Sequence, residues 1–587
     1  MKRSFPVKVS AFLFLVLCLL AISGLLVADS FGTLTYDPVG TLVPPTLVPA
    51  VESDDSDTLP TESAVARIQN EGRVRIGILF NEPPFGELNI RGQISGFDAD
   101  LARKMAELWG VEIDLIQVTR QTAQDMLLNN QVDLLVAAQV HQRDRDGRVE
   151  FSQTYYPGQQ VVMVRNGDGA TVLGHMQDRI IGVVMGARGE QVTAEWLERS
   201  GMNVTVQRYL SLDQALVALL ATEVDGVVSN RRQLSRAMPD RELARFVDEP
   251  VSAEPLAVVM RRQDVNMRNL VNKTLQFMVE DGQMNEIHQA HFSGVNYPAN
   301  NFTIWDGLSD EAPQPAEFPS DMPAPSEHIL SRLQSDGVLR VTGIGAEPND
   351  DDRESQRRLY AYNRALADSL AARWGVRAEF VESENPLDAV ANGQADLALN
   401  VSPNWEWANR VDFTTHYLLH GQRLMVPIES DIRRFTDLRS EWVAIFADEE
   451  GAEDLVTDLA DQARARIDIY TITDEEATTF GLMEQHNYDA VFGDSLKLIP
   501  HVQANPEDLM LTMDTEENPR WYSRSYIALA VPRNDLDFRL LVEYTLQEFS
   551  REGVLRALTQ DVMLPEEIPQ ISIWPGSSAY MGFELGR

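Results

Sequence analysis

Cysteine is almost absent from this 587-residue chain: the one copy, Cys18, lies in an N-terminal apolar run. Everything after it therefore folds without disulfides, thiolate nucleophiles or a Cys/His metal framework. The nine histidines are scattered, and no His-Glu-x-x-His pair occurs. No metal and no cofactor are expected. Positive charge is also in deficit, with 50 Lys and Arg against 89 Asp and Glu, a net charge of -39. Such a polyanion repels phosphate backbones, which argues against nucleic acid as a partner. A Gly-x-Ser-x-Gly elbow and a phosphate-binding glycine loop are missing too, so two common catalytic frameworks drop out.

What is present is a duplication. Gly72-Arg73-Val74-Arg75-Ile76 and Gly337-Val338-Leu339-Arg340-Val341 begin two copies about 265 residues apart. The register holds from Gly72 to Val111 and from Gly337 to Val376 without a gap. A period this long is a domain and not a solenoid unit. The chain has room for roughly four compact units of about 150 residues, which fits two modules of two lobes each.

The N-terminus has basic Lys2, Arg3 and Lys8 before an apolar run from Ala11 to Val27. Residues 1–28 read as a signal peptide or signal anchor, placing the rest outside the cytoplasm. Residues 29–63, rich in Pro, Thr and Asp, read as a spacer. Strand and helix patterns alternate through 64–298, as in a parallel sheet covered by helices. Two apolar strands, Gln160–Val164 and Leu256–Met260, bracket an inserted lobe of about 165–255. Two lobes joined by two strands form a hinge and a cleft. The second module, 328–563, repeats this with crossing strands Arg423–Val426 and Ile527–Val531 and an inserted lobe of about 428–525. The proline-bearing segment 299–327 reads as a linker, and 564–587 as a C-terminal tail that the pattern does not place.

Four motifs in order carry a resemblance: Pro83-Pro84-Phe85, Gly96-Phe97-Asp98-Ala99-Asp100-Leu101-Ala102, Gln142-Arg143-Asp144-Arg145, and Val149-Glu150-Phe151-Ser152-Gln153-Thr154-Tyr155. The chain resembles the family 3 extracellular solute-binding proteins, the amino-acid receptors of ABC importers, closely over 65–298 and more distantly over 328–563. That resemblance implies an α/β fold of two tandem periplasmic-binding-protein-like (type II) modules, each of two α/β lobes joined by a two-strand hinge.

It also implies a ligand site. Arg145 matches the arginine that clamps the ligand carboxylate, a role suited to a planar fork of donors. Phe85, Phe97 and Gln142 lie in the matched motifs beside it. Elsewhere the chain departs from the family pattern. Glu82 replaces the aromatic that packs the ligand side chain. Val140 replaces a threonine. Ala187-Arg188 replaces a threonine pair at a helix N-terminus, where backbone N–H groups favour an anion. Asn230 replaces the acidic anchor of the ligand ammonium. Two arginines without that anchor favour an anionic ligand, while Glu82 would hold a cationic group or neutralise one arginine. In the second module Trp407 takes the position of Arg145, Tyr362-Asn363 that of Phe97-Asp98, and Asp494 restores the acid missing at Asn230. This module would take a cationic ligand among Trp407, Tyr362 and Asp494, or serve as a spacer or interaction module.

The leading expectation is a non-enzymatic extracytoplasmic receptor. It binds a small amino-acid-like or carboxylate solute in an interlobe cleft and serves an ABC permease, with a membrane attachment if the N-terminus is uncleaved. The alternative is a membrane-anchored sensor or assembly component. A small-carboxylate dehydratase, with Glu82 as its acid/base, comes third.

Overall fold

The computed structural model describes residues 33–34, 62–88, 92–238, 240, 242–292, 297–298, 302–325, 328–349, 353–439, 441–473, 488–515, 518–565, 567–569 and 571–576. The expected signal segment 1–28, nearly all of the spacer and the acidic run Asp350–Asp352 lie outside them. No helix among the described residues is long and apolar enough to cross a membrane. The chain divides into two compact units, one of Met1–Ser53 with Tyr156–Leu256, the other of Asp54–Tyr155 with Ala257–Arg587.

In the larger unit, α1 (Ala64–Glu71) is capped by Ser63 and ends at Gly72 in the left-handed region. It leads into β1 (Arg73–Leu79), α2 (Phe97–Leu108), β2 (Glu112–Val118) and the short β3 (Leu134–Leu135). Gly96 has φ +121°, and a Cβ there would lie 2.3 Å from the Phe85 carbonyl oxygen. Only glycine fits this entry to α2. The chain then runs through β4 (Val149–Arg165) into the smaller unit, with β5 (Ile180–Val184), α3 (Arg188–Ser200), β6 (Thr205–Tyr209), α4 (Leu212–Leu220) and β7 (Gly226–Asn230). It returns through β8 (Ser252–Arg261) to α5 (Val265–Glu280). The sheet of the larger unit reads β2-β1-β3-β8, parallel except where β8 meets β3. That of the smaller unit reads β6-β5-β7-β4, parallel except where β4 meets β7.

The second copy, wholly within the larger unit, repeats both sheets. Its elements are β9 (Val338–Thr342), α6 (Glu354–Trp374), β10 (Arg377–Phe380), β11 (Leu397–Val401), β12 (Gln422–Pro427), β13 (Glu441–Phe446), β14 (Ile467–Ile472), β15 (Ala490–Asp494), α7 (Ser495–Ala504), β16 (Ser525–Pro532) and α8 (Leu536–Arg551). One sheet reads β10-β9-β11-β16 and the other β14-β13-β15-β12, with the same senses as in the first copy. Single hydrogen bonds are duplicated as well. Trp109 Nε1 donates to Thr274 Oγ1 at 2.8 Å, and Trp374 Nε1 to Thr545 Oγ1 at 2.9 Å. The Arg75 and Arg340 amides donate to Asp133 and Asp396, both at 2.7 Å.

Helices α5 and α8 are the counterparts that join the copies. Each has 13 of its 16 residues buried, many of them polar. A helix buried all round needs a partner on each side, and for both the outer partner is the other module. Glu150 accepts from Arg268 (2.7 Å) and Arg539 (2.8 Å), and Arg268 also donates to Asp412 (2.5 Å). Arg268 and Arg539 sit at equivalent positions of α5 and α8, and Glu150 and Asp412 are equivalent too. The interface thus carries the duplication as an approximate two-fold relation.

Candidate functional site

The turn Arg143–Arg145 is a 3-10 helix between β3 and β4. In a 3-10 turn residues three apart share a face, so Gln142 and Arg145 lie on one face and Arg143 and Asp146 on the other. Arg145 is half-buried. Its Nη1 donates to Gln139 Oε1 (2.9 Å), and its guanidinium lies 5.6 Å from the centre of the Phe151 ring. Burial lowers its pKa from the ordinary value, with the charges of Asp144 and Asp146 opposing. Among the described residues no carboxylate lies within ion-pair distance of it. Most of its five donors stay available to an incoming carboxylate.

The neighbouring expected residues fall into two groups. Glu82 forms an ion pair with Arg120 (2.9 Å) and so carries a neutralised charge. Phe85 and Phe97 are buried in an aromatic cluster with Phe292, where the Phe85 and Phe97 rings meet edge-on at 6.2 Å. They shape the wall from inside the core. Asp98, also buried, accepts from the Ala138 amide (2.6 Å) and from Tyr155 Oη (2.9 Å). Burial pushes its carboxyl up to about 7. Gln142 is part-exposed and its backbone oxygen accepts from the Arg145 amide (2.9 Å).

In the smaller unit, α3 starts at Arg188 after Ala187, which offers no side-chain cap. Free N–H groups at such an end attract anions. The Arg188 side chain, however, is spent on Glu254 (3.0 Å) and Glu195 (3.2 Å). The expected second unmatched positive charge is therefore not present, because the return strand β8 supplies its counter-ion. Asn230 caps the helix Arg231–Ala237, its Oδ1 accepting from the Arg232 amide (2.9 Å). Its type follows from capping, where Asn and Asp rank high. The adjacent Arg232 donates to Tyr156 Oη (2.7 Å).

In the second module the three expected residues occupy three separate settings. Trp407 packs beside Ala408 and Phe413, with the Arg410 guanidinium 4.7 Å from its ring centre. Tyr362 is buried against Tyr417. Asp494 caps α7, its carboxylate accepting from the Leu496 amide (2.9 Å) and pairing with His420 (2.7 Å). The larger change is in α6. It spans 21 residues where α2 spans 12. Residues that form short strands before α2 are replaced here by extra helical turns. From those turns Arg358 donates to Gln503 of α7 (2.5 Å), and Arg353 beside them pairs with Asp448, which also holds Lys497 (3.1 Å). The two lobes of this module are braced by direct contacts.

Residues that the patterns did not single out complete the picture. Ile304-Trp305-Asp306-Gly307 recurs as Ile573-Trp574-Pro575-Gly576, and both glycines have positive φ. The two straps are exchanged. Trp305, after the first module, packs on Trp405 of the second with the rings tilted by 34° and their centres 4.4 Å apart, and the Asp306 amide donates to the Pro403 carbonyl (2.8 Å). Trp574, after the second module, stacks on His141 of the first (3.6 Å), and the Arg143 amide donates to the Pro575 carbonyl (2.8 Å). Gln276 and Gln547, equivalent on α5 and α8, each accept from the strap tryptophan amide, at 3.0 and 2.9 Å. A four-residue repeat in two segments read as linker and tail was the available signal.

Comparison with known proteins agrees with this duplicated architecture. The family described as bacterial extracellular solute-binding proteins, family 3, matches residues 74–294 and again 354–563. The ABC transporter glutamine-binding protein GlnH of Bacillus subtilis is 23% identical over 39% of this chain and 84% of its own length. The L-arginine-binding protein of Pseudomonas aeruginosa is 22% identical over 39% of this chain and 90% of its own length. Among solved structures, an ancestral cationic amino acid solute binding protein is 24% identical, with a TM-score of 0.34, over 39% of this chain and all of its own. The first matched region spans the first copy from β1, and the second covers the second copy from α6 onward. The chain belongs to the bacterial extracellular solute-binding proteins of family 3, as two tandem type II modules.

Proposed function

We propose that this chain is an extracytoplasmic receptor that takes a small amino-acid-like or carboxylate solute through its first module and serves an ABC permease. The observation that carries this reading is Arg145: half-buried, tied to Gln139 by one hydrogen bond, and without an acidic partner among the described residues. A desolvated arginine with open donors is worth most to a carboxylate. In the larger unit Glu82 is paired with Arg120, so it does not neutralise Arg145, which keeps its donors for a solute carboxylate. The second module is not a second receptor in this reading, since Trp407, Tyr362 and Asp494 are each engaged elsewhere.

A thermal-shift panel of L-amino acids, amines and small dicarboxylates on the full chain tests the proposal. A solute at about 100 times its dissociation constant adds about 2.7 kcal/mol, and Arg145→Ala abolishes that shift. No shift with any member of the panel counts against the reading. The full chain is required because α5 of the first module is buried against the second.

The braced second module favours one further reading, a membrane-anchored sensor or assembly component in which that module meets a partner. Solute-dependent stimulation of a permease ATPase supports transport, and its absence beside retained solute binding supports sensing. Catalysis forms no part of the proposal: Glu82, the acid/base candidate of the sequence, is held by Arg120. Product formation from any bound carboxylate would overturn that.

A further inference from the structure

The turn that carries Arg145 is gripped from its opposite face. His141, Arg143 and Asp146 all point to the second module and its strap. Arg143 donates to Glu548 (2.7 Å) and Gln547 (2.9 Å) of α8, with its guanidinium 4.8 Å from the centre of the Tyr544 ring. Tyr544 Oη donates to Asp146 Oδ2 (2.5 Å), while Asp146 Oδ1 meets His141 Nε2 (2.9 Å). The His141 ring is sandwiched between Phe151 (4.1 Å) and Trp574 (3.6 Å), and Phe151 is the ring beneath Arg145. The Pro575 carbonyl closes the set on the Arg143 amide, and a Cβ on Gly576 would lie 2.3 Å from Asp144 Oδ1. The strap therefore approaches as closely as glycine permits.

We propose that Trp574 and Tyr544 are positioning residues for the carboxylate clamp, so that the second module sets the affinity of the first by fixing the turn that carries Arg145. This rests on the reading that Arg145 holds the solute carboxylate. A single 3-10 turn has few hydrogen bonds of its own, and its conformation is decided by what packs on it. Three side chains and one amide of this turn are committed to the second module. Among the described residues the 142/145 face meets only Gln139 and the Phe151 ring, which is itself stacked on His141, so its geometry follows from that of the 143/146 face. An arginine fork is sensitive to such geometry because both donors must meet one carboxylate plane.

The test uses the full chain, with L-glutamine, L-arginine and L-glutamate as probes, each also as its α-carboxamide. Trp574→Ala is expected to weaken binding of the free acids by about tenfold, the worth of a misplaced charge-assisted hydrogen bond. Carboxamide binding changes little, so the acid-to-amide ratio collapses; a merely structural role would move both together. In Arg145→Ala, adding Trp574→Ala produces no further loss. Trp574→Phe, which keeps a stacking ring, restores most of the affinity. Amide exchange over 139–148 rises about tenfold in Trp574→Ala and less in Tyr544→Phe, while exchange over 180–230 is unaltered. Tyr544→Phe removes one hydroxyl and carries the test if Trp574→Ala does not fold. Unchanged exchange over 139–148 in a folded variant overturns the proposal, as does an equal loss for acid and amide. If the wild-type chain binds none of the probes, it is the reading of Arg145 as a clamp that fails, and the exchange measurement alone decides whether the strap fixes the turn.

Discussion

Replacing Glu150 by glutamine should test how tightly the two modules are joined. Glu150 is buried, and one of its oxygens accepts from both Arg268 (2.7 Å) and Arg539 (2.8 Å). Asp412, also buried, is the other acid paired with Arg268, and buried Glu543 lies near Arg539. Glutamine keeps the volume and one acceptor oxygen but removes the charge, so Arg268 and Arg539 lose the one carboxylate they share. Removing one partner of a buried ion pair costs about 3–5 kcal/mol, because the remaining charge stays out of water. That is a large share of the roughly 5–15 kcal/mol that holds a folded domain. The loss falls on the interface more than on either core, so the single transition expected of wild type should divide in two. Urea unfolding followed by tryptophan fluorescence reads this directly, since Trp305, Trp405 and Trp574 all sit at the contact. The double variant Glu150→Leu with Arg539→Met, which replaces charge by apolar volume, should recover most of the loss. A change under about 1 kcal/mol for Glu150→Gln, within the range of exposed ion pairs, refutes the reasoning.

Other outcomes follow from single sites. Asp98 titrates up to about 7 in the fold because burial opposes its charge. Its contribution is therefore complete below about pH 4 and is lost as pH rises through 7, an effect of about 4 kcal/mol. Asp98→Asn should gain on wild type steadily between those limits in urea midpoints, and a pH-independent difference refutes this. His416 is the opposite case: burial pushes it down to about 4. The stability it permits is present above about pH 6.5 and lost as pH falls through 4, by about 3 kcal/mol. His416→Gln should flatten that acid limb. Gly343→Ala should destabilise by more than about 3 kcal/mol, because its Cβ would lie 2.1 Å from the Leu399 carbonyl oxygen at φ +85°. Gly337→Ala, with positive φ but open space, should cost about 1 kcal/mol in the same unfolding assay.

The fold was legible because its signals are local. Apolar strands such as Val74–Leu79 announce themselves in a few residues, and the repeat from Gly72 and Gly337 doubled each signal. The crossing strands at 160–164 and 256–260 were found for the same reason. The site was harder, because a side chain's role depends on who meets it. Nothing near Arg188 in sequence reveals Glu254, which arrives 66 residues later on β8. Asn230 reads as the loss of the acidic anchor for a ligand ammonium and Asp494 as its return in the second module, and the structure adds what the sequence does not say, that both cap helices. The second module misled most: Tyr362 aligned with Phe97, but the alignment did not convey that α6 begins earlier and braces the lobes. Residues 302–306 and 571–576 looked like linker and tail because proline dominates their surroundings. Their packing depends on partners far along the chain, Trp405 for Trp305 and His141 for Trp574.

The exchanged straps also bear on the order in which this protein is completed. Synthesis runs from the N-terminus, so the first module has its whole sequence long before Trp574 exists. Its own strap, Trp305, serves the second module, and the turn at 141–146 waits for residues 571–576, made after the whole of that module. A chain that stops before residue 571 leaves the turn without Trp574 and Pro575. Closing of the second strap thus ties the turn that carries Arg145 to the completion of the second module.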